Sequence, residues 1–119
     1  MLQIVAVFIG GGLGSVLRFG ISKFSLAYLP FKFPLATLLS NIIACLVLAL
    51  VLYAGQKIQM SQTLKILIAV GFCGGLSTFS TFSAETFELI KSGLFAYAIA
   101  NILISVVGCL GLFYWFYRS

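Results

Sequence analysis

Apolar residues fill four long stretches of the chain, and polar residues gather in the three gaps between them. The first stretch runs from about Leu2 to Phe19 and the second from about Pro34 to Ala54. The third runs from about Leu64 to Ile90 with an interruption, and the fourth from about Leu94 to Phe116. A helix needs about 20 mostly apolar residues to cross a bilayer, so the pattern predicts an all-α integral membrane protein of four transmembrane helices. Of the gaps, residues 20–33 carry Lys23, Pro30 and Lys32, residues 55–63 read GQKIQMSQT, and residues 91–93 form a tight Lys-Ser-Gly turn. No repeat or low-complexity run divides the chain, so residues 1–119 are expected to form a single four-helix membrane domain. The closing FYWFYR, residues 113–118, has the make-up of an interfacial aromatic belt with a snorkelling Arg118.

Composition changes the picture only by fixing the solvent. Hydrophobic residues make up 62% of the chain and charged residues 8%, against about 25% charge in a soluble domain. Most of the surface must therefore face lipid. The net charge of +5 comes from Arg18, Lys23, Lys32, Lys57, Lys65, Lys91 and Arg118, which are scattered along the chain. A nucleic-acid binder would cluster them on one solvated face, so none is expected as a partner. There is no His, and Cys45, Cys73 and Cys109 stand in separate apolar stretches without metal-ligand spacing. They read as soft packing residues. The first stretch has no basic n-region and no small-residue cleavage site, so it is expected to remain as a membrane helix.

Four spans place both termini on one side. Lys57, Lys65 and Arg118 then lie on that side, and Arg18, Lys23, Lys32 and Lys91 on the other. Orientation follows the Lys/Arg bias between loops. A bias this small implies dual insertion and an antiparallel homodimer.

The third span carries most of the candidate chemistry. Residues 71–85 read GFCGGLSTFSTFSAE. Gly74-Gly75 in mid-span weakens a helix by about 1 kcal/mol per glycine, and Ser77, Thr78, Ser80, Thr81 and Ser83 follow at once. Such a segment is tolerated at membrane depth only where protein buries it or it lines a watery path. A broken helix also frees carbonyls and N–H groups to bind ions. Close packing through small residues is the competing reading. Phe79 and Phe82, three apart, share a helix face, and their positive ring edges suit an anion, although two such rings more often only pack.

Elsewhere, Asn41 brings an amide to the middle of the second span, where it serves either as a donor pair for a dehydrated anion or as an interhelical hydrogen bond. Tyr97, Asn101 and Ser105 recur every four residues as a polar stripe on the fourth span. Arg18 ends the first span and is expected to snorkel. Glu85 and Glu88 are the only acids, and neither has the partners that acid–base or nucleophilic catalysis requires. The protein is not expected to be an enzyme.

GGGLGSVLRFG at 10–20, SNIIA around Asn41 and GFCGGLSTFSTFSAE at 71–85 together resemble the signature regions of the small fluoride channel family (Fluc, or CrcB) over the whole chain. The resemblance implies a passive fluoride channel in the bacterial cytoplasmic (inner) membrane, built as a dual-topology homodimer with two antiparallel pores, that relieves cytoplasmic fluoride toxicity. By position, it makes Phe79 and Phe82 the pore-lining rings, Asn41 the pore asparagine, Ser80 and Thr81 hydroxyls beside the ion path, and Tyr97 and Ser105 its fourth-helix track. It makes Arg18 and Glu85 vestibule residues, and it implies a central structural Na⁺ held by the Gly74 and Ser77 carbonyls of both subunits. Three positions depart from the family pattern: Ser15 after Gly14, Ser77 for a more usual Thr, and Asn101 for a Ser. A small multidrug transporter is the alternative from another class, but it needs a carboxylate in the first helix, and no acid precedes Glu85. A purely structural membrane subunit is the third reading.

Overall fold

A computed structural model describes residues 1–28 and 33–118. Pro30 and Lys32 of the first connection lie outside the described residues. Helix α1 spans Leu2–Tyr28 and α2 spans Leu35–Lys57. The third span is a composite: α3 over Gln62–Ile66, a π-helical stretch over Leu67–Phe72, α4 over Cys73–Leu76 and α5 over Phe79–Lys91. Helix α6 spans Phe95–Arg118. All four spans are long and apolar enough to cross a membrane.

Two boundaries differ from the apolar pattern, and both for local reasons. Helix α1 runs nine residues past Phe19, through Lys23, because polar side chains do not stop a helix that has left the hydrocarbon. At 27 residues it is about 40 Å long, more than the roughly 30 Å of hydrocarbon, so its end emerges or the helix tilts. Lys23 sits on this helix with its ammonium 5.6 Å from the Phe19 ring centroid. Helix α2 likewise continues over Gly55 to Lys57, whose cation suits the negative C-terminal end.

Caps mark the other ends. Ser61 accepts from the Leu64 N–H at 3.1 Å and starts α3. The expected turn at 91–93 closes α5 as a Schellman motif: Leu94 N–H reaches the Leu89 carbonyl at 2.8 Å and Gly93 N–H that of Ile90 at 3.0 Å. Gly93 takes the positive φ of 82° that this motif demands.

The interior is thin. The fully buried apolar side chains are small or few: Ala6, Leu38, Ala44, Ala49, Cys73, Leu76, Leu89 and Ala98. Large residues such as Phe8, Val16, Leu26 and Leu110 point outward. In lipid this costs nothing, because hydrocarbon is as apolar as leucine.

The closest packing joins α1 to the third span, backbone on backbone. Gly10 and Gly14 share a face of α1 with Arg18, and Gly71 and Gly75 face them. A Cβ added at Gly10 would collide with the Leu67 carbonyl, and one at Gly14 with the Phe72 carbonyl. A Cβ at Gly71 would stand 3.0 Å from the Gly10 Cα, and one at Gly75 would strike the Gly11 carbonyl. These are two interlocking small-xxx-small pairs. Gly10→Ala and Gly14→Ala should each destabilise the protein by about 1–3 kcal/mol, the cost of overpacking. Gly12→Ala, with open space around it, should not. Thermal unfolding in detergent distinguishes the two classes.

Candidate functional site

The third span breaks as expected, and the break is centred on Ser77-Thr78, just beyond the glycine pair. Both residues are extended, with φ/ψ of −79°/155° and −152°/117°. Gly74 and Gly75 themselves lie in the short helix α4. They serve approach rather than rupture: Gly75 packs on α1, while Gly74 faces open space.

Asn41 holds the break in place. Thr78 N–H, which a continuous helix would direct to the Gly74 carbonyl, donates instead to Asn41 Oδ1 at 2.7 Å. Asn41 Nδ2 donates back to the Thr78 carbonyl at 3.4 Å. One side-chain amide thus satisfies both polar groups of an unwound peptide unit, a pairing the hydrocarbon interior requires. Of the two roles weighed for Asn41, the interhelical hydrogen bond is present. One of its two N–H donors remains beyond this pair.

Thr78 then starts α5, its Oγ1 accepting from the Thr81 N–H at 3.2 Å and lying 3.3 Å from the Ser80 hydroxyl. The Ser77 hydroxyl donates back to the Cys73 carbonyl at 2.8 Å. Arg18 Nε donates to the Gly75 carbonyl at 3.1 Å. Arg18 therefore does not simply snorkel. It caps the carbonyl end of α4, where a cation meets the negative pole of the helix.

These groups open onto a cavity of about 320 Å³ between α1, α2 and the break. Ser15, Arg18, Ser22, Thr37, Ser40, Thr78, Thr81 and Glu85 supply its polar lining. It meets a second cavity of about 610 Å³ at Ser22, Ala36 and Glu85, where Ser25 and Glu88 add to the wall. Ser25 Oγ, Ser40 Oγ and Glu85 Oε1 are buried without a hydrogen-bond partner, and all three line these cavities. Buried polar atoms of this kind are ordinarily satisfied by water, and the smaller cavity alone has room for about ten molecules at some 30 Å³ each. Arg18 and Glu85 share the smaller cavity without forming an ion pair. Among the described residues the only close pair is the exposed Glu88–Lys91, at 3.6 Å.

The pattern of the sequence did not reveal Ser22, Ser25, Thr37 and Ser40 as lining residues. Ser22 and Ser25 fell in an expected loop, and only its helical continuation brings them opposite Glu85. Hydroxyls at Thr37, one turn before Asn41, and at Ser40, immediately before it, were the signal available for α2.

Phe79 and Phe82 do share a face. Their centroids are 5.9 Å apart with planes tilted by 39°, and Phe79 is 79% exposed at the first position of α5. Ser80 is exposed beside it.

The fourth-span stripe turns the other way. Asn101 and Ser105 are buried within the bundle. Asn101 Nδ2 donates to Thr86 Oγ1 at 2.9 Å, Thr86 Oγ1 donates to the Phe82 carbonyl at 2.7 Å, and Ser105 Oγ lies 3.5 Å from Asn101 Oδ1. Asn101 thereby ties α6 to the helix turn bearing Phe82. Tyr97 is half-exposed, edge-on to Phe33 at 6.2 Å. The structure thus groups Arg18, Thr78, Thr81 and Glu85 around one cavity, with Asn41 bonded to Thr78 at its edge. It separates them from Asn101 and Ser105, with Phe79 on the outer surface.

Asn41→Ala should leave the Thr78 N–H and carbonyl unpaired at membrane depth and destabilise the fold by about 1–3 kcal/mol. Thr78→Val, which removes the cap and the exposed contact with the Ser80 hydroxyl, should cost about 1 kcal/mol. Unfolding midpoints in detergent measure both, and an unchanged midpoint for Asn41→Ala would mean the break is held by other contacts.

Comparison with known proteins places the chain. Residues 5–116 match the family model described as CrcB-like protein, Camphor Resistance (CrcB). A protein of Serratia proteamaculans named fluoride-specific ion channel FluC is 44% identical over 109 residues, covering 91% of this chain and 85% of its own length. Proteins of the same name from Methanococcus aeolicus and Methanocaldococcus jannaschii are 40% and 41% identical. They are covered over 91% and 89% of their lengths, against 96% and 94% of this chain. With the broken third span, its asparagine clamp and near full-length relatives at this identity, the chain belongs to the CrcB family of membrane proteins, a family of channels rather than enzymes.

Proposed function

We propose that this protein is a fluoride-selective passive channel that lets fluoride leave the cell and so relieves its toxicity. The reading follows the name its relatives carry. The observation that carries it in this chain is the pair Phe79–Phe82 at the start of α5, directly after the break. The first N–H groups of a helix and its dipole favour an anion there. Ring edges add a weak positive contact, and Ser80 and Thr81 add hydroxyls. None of these is a fixed charge that would trap the ion, and weak successive contacts let an ion leave as readily as it enters. Arg18 and the polar cavity beside Asn41 provide a watery, electropositive approach. A membrane potential negative inside then drives fluoride outward, by about 2.3 kcal/mol per charge per 100 mV.

The working unit we propose is an antiparallel, dual-topology homodimer with two pores, seated in the lipid of the bacterial cytoplasmic membrane. The large exposed apolar surface, the 79% exposure of Phe79 and the near balance of basic residues between the two sides support it. A structural Na⁺ at its centre fits the donor set. The break diverts the Thr78 N–H from the Gly74 carbonyl, and the extended Ser77 ends its helix, so oxygen ligands suited to a hard cation are released. Gly74 and Ser77 would hold the ion through these carbonyls. Two carbonyls are too few for one chain, so a second copy would supply the rest. The ion would lock the two breaks together and take no part in conduction.

Purified protein in liposomes, with valinomycin clamping the potential, should release fluoride rapidly to an electrode while retaining chloride. Failure of a well-folded sample to release fluoride would defeat the channel reading. Phe79→Ile and Phe82→Ile should abolish most flux while leaving the fold intact. Asn41→Asp should also abolish most flux, because a fixed negative charge repels the ion, and it should cost stability as well, because a carboxylate cannot donate to the Thr78 carbonyl.

A further inference from the structure

Cys45, Cys73 and Cys109 lie far apart in sequence and on different helices, yet the fold brings Cys45 and Cys109 to one level of the bundle. Cys109 Sγ on α6 lies 3.9 Å from the Asn41 carbonyl on α2. In a helix that carbonyl accepts from the N–H four residues on, which here belongs to Cys45. The Cys109 thiol therefore packs against the turn of α2 that carries Cys45. Gly108 faces α2 at this level, where an added Cβ would come into ordinary contact with Ile42 Cδ1 at 3.9 Å. Cys73 is buried on α4 and packs with Ala44, next in the chain to Cys45. All three thiols are free. Cys45 and Cys109 are each partly exposed, so they are reachable.

We propose that Cys45 and Cys109 form a two-coordinate site for a thiophilic metal ion of the Hg(II), Cu(I) or Ag(I) class. Among the described residues no group of three or more His, Cys, Asp or Glu could hold a metal. That excludes the four-ligand arrangement zinc needs, while two soft sulfurs suit ions that accept linear coordination. With mercuric chloride as the probe, two S–H bonds break and two S–Hg bonds form. Two protons and two chlorides leave to water, and no oxidation state changes. The bridge staples α2 to α6 at the main chain of Asn41, the residue whose side chain holds the break at Thr78. Metal binding therefore immobilises the turn of α2 that supports the ion path, and flux is lost.

The test compares the full-length protein with Cys45→Ser, Cys109→Ser and Cys73→Ser, each treated with mercuric chloride, washed with excess glutathione and weighed intact by mass spectrometry. Wild type and Cys73→Ser should keep one mercury per chain with two protons lost. Cys45→Ser and Cys109→Ser should release it, because a single S–Hg bond exchanges with glutathione. Mercury retained by either of these, or washed out of wild type, overturns the site. If a variant does not fold, alkylation of mercury-loaded wild type in denaturing detergent gives the same answer. Cys45 and Cys109 should be protected and Cys73 alkylated, and any other pattern overturns the pairing. Fluoride flux in liposomes should be lost on loading wild type and kept in Cys45→Ser/Cys109→Ser. Retained mercury with undiminished flux overturns the coupling to the break. This last arm rests on the channel reading, and the mass and alkylation arms do not.

Discussion

Backbone contact between α1 and the third span is the constraint on which the rest of the structure hangs. Gly10 and Gly14 let α1 come so near that the Leu67 and Phe72 carbonyls occupy the space a methyl group would need. Nothing else in the bundle is so tightly specified, because most large apolar side chains face outward and only a few small ones fill the interior. Packing of this kind draws on dispersion and on weak Cα–H···O contacts, which have no apolar competitor in lipid. Once it is formed, Arg18 stands one turn beyond Gly14 and necessarily beside the end of α4. Its bond to the Gly75 carbonyl follows from the glycine contact.

From there the polar accounting closes around the break. A chain that unwinds at membrane depth must find partners for every exposed peptide group. Thr78 finds Asn41 for both of its own, its side chain serves the Thr81 N–H, and the Gly75 carbonyl has Arg18. Behind α5, Asn101 donates to the Thr86 hydroxyl, which itself donates to the Phe82 carbonyl, and α6 is anchored to α5. The two aromatic rings are thus carried on a turn secured from both sides, by α2 before it and α6 behind it. The hydroxyls of Ser25 and Ser40 and one oxygen of Glu85 remain for water, which is how a wet cavity can sit inside so apolar a protein.

Much of this was legible in the sequence. Four spans, the break in the third, the 91–93 turn and the pairing of Phe79 with Phe82 follow from hydropathy, glycine and helical spacing. What was not legible depends on which neighbour lies across. The same Gly74-Gly75 that signals a break turns out helical, because tight approach and rupture call for the same residue. Arg18 at the end of an apolar run looks like a snorkelling residue until α4 presents its carbonyl end. Ser22 and Ser25 look like loop because polarity, not a breaker, marked the boundary. The stripe Tyr97, Asn101, Ser105 shows its period but not its direction, since in lipid neither face of a helix is announced by water.

The π-helical stretch Leu67–Phe72 gives the third span a further property. Wider turns take up more residues per revolution than the 3.6 of an α-helix, so this stretch acts as a phase adjuster. It sets the rotation at which every later residue emerges. Gly71 lies inside it and Gly75 just past it, and both reach α1 only at that rotation. An extra residue in a regular α-helix would swing everything downstream by about 100°, whereas a π turn takes up the extra residue locally and keeps the downstream helix in phase. Spacing within 67–72 thus decides which residues of the third span meet α1, Gly71 and Gly75 among them, as surely as the side chains themselves do.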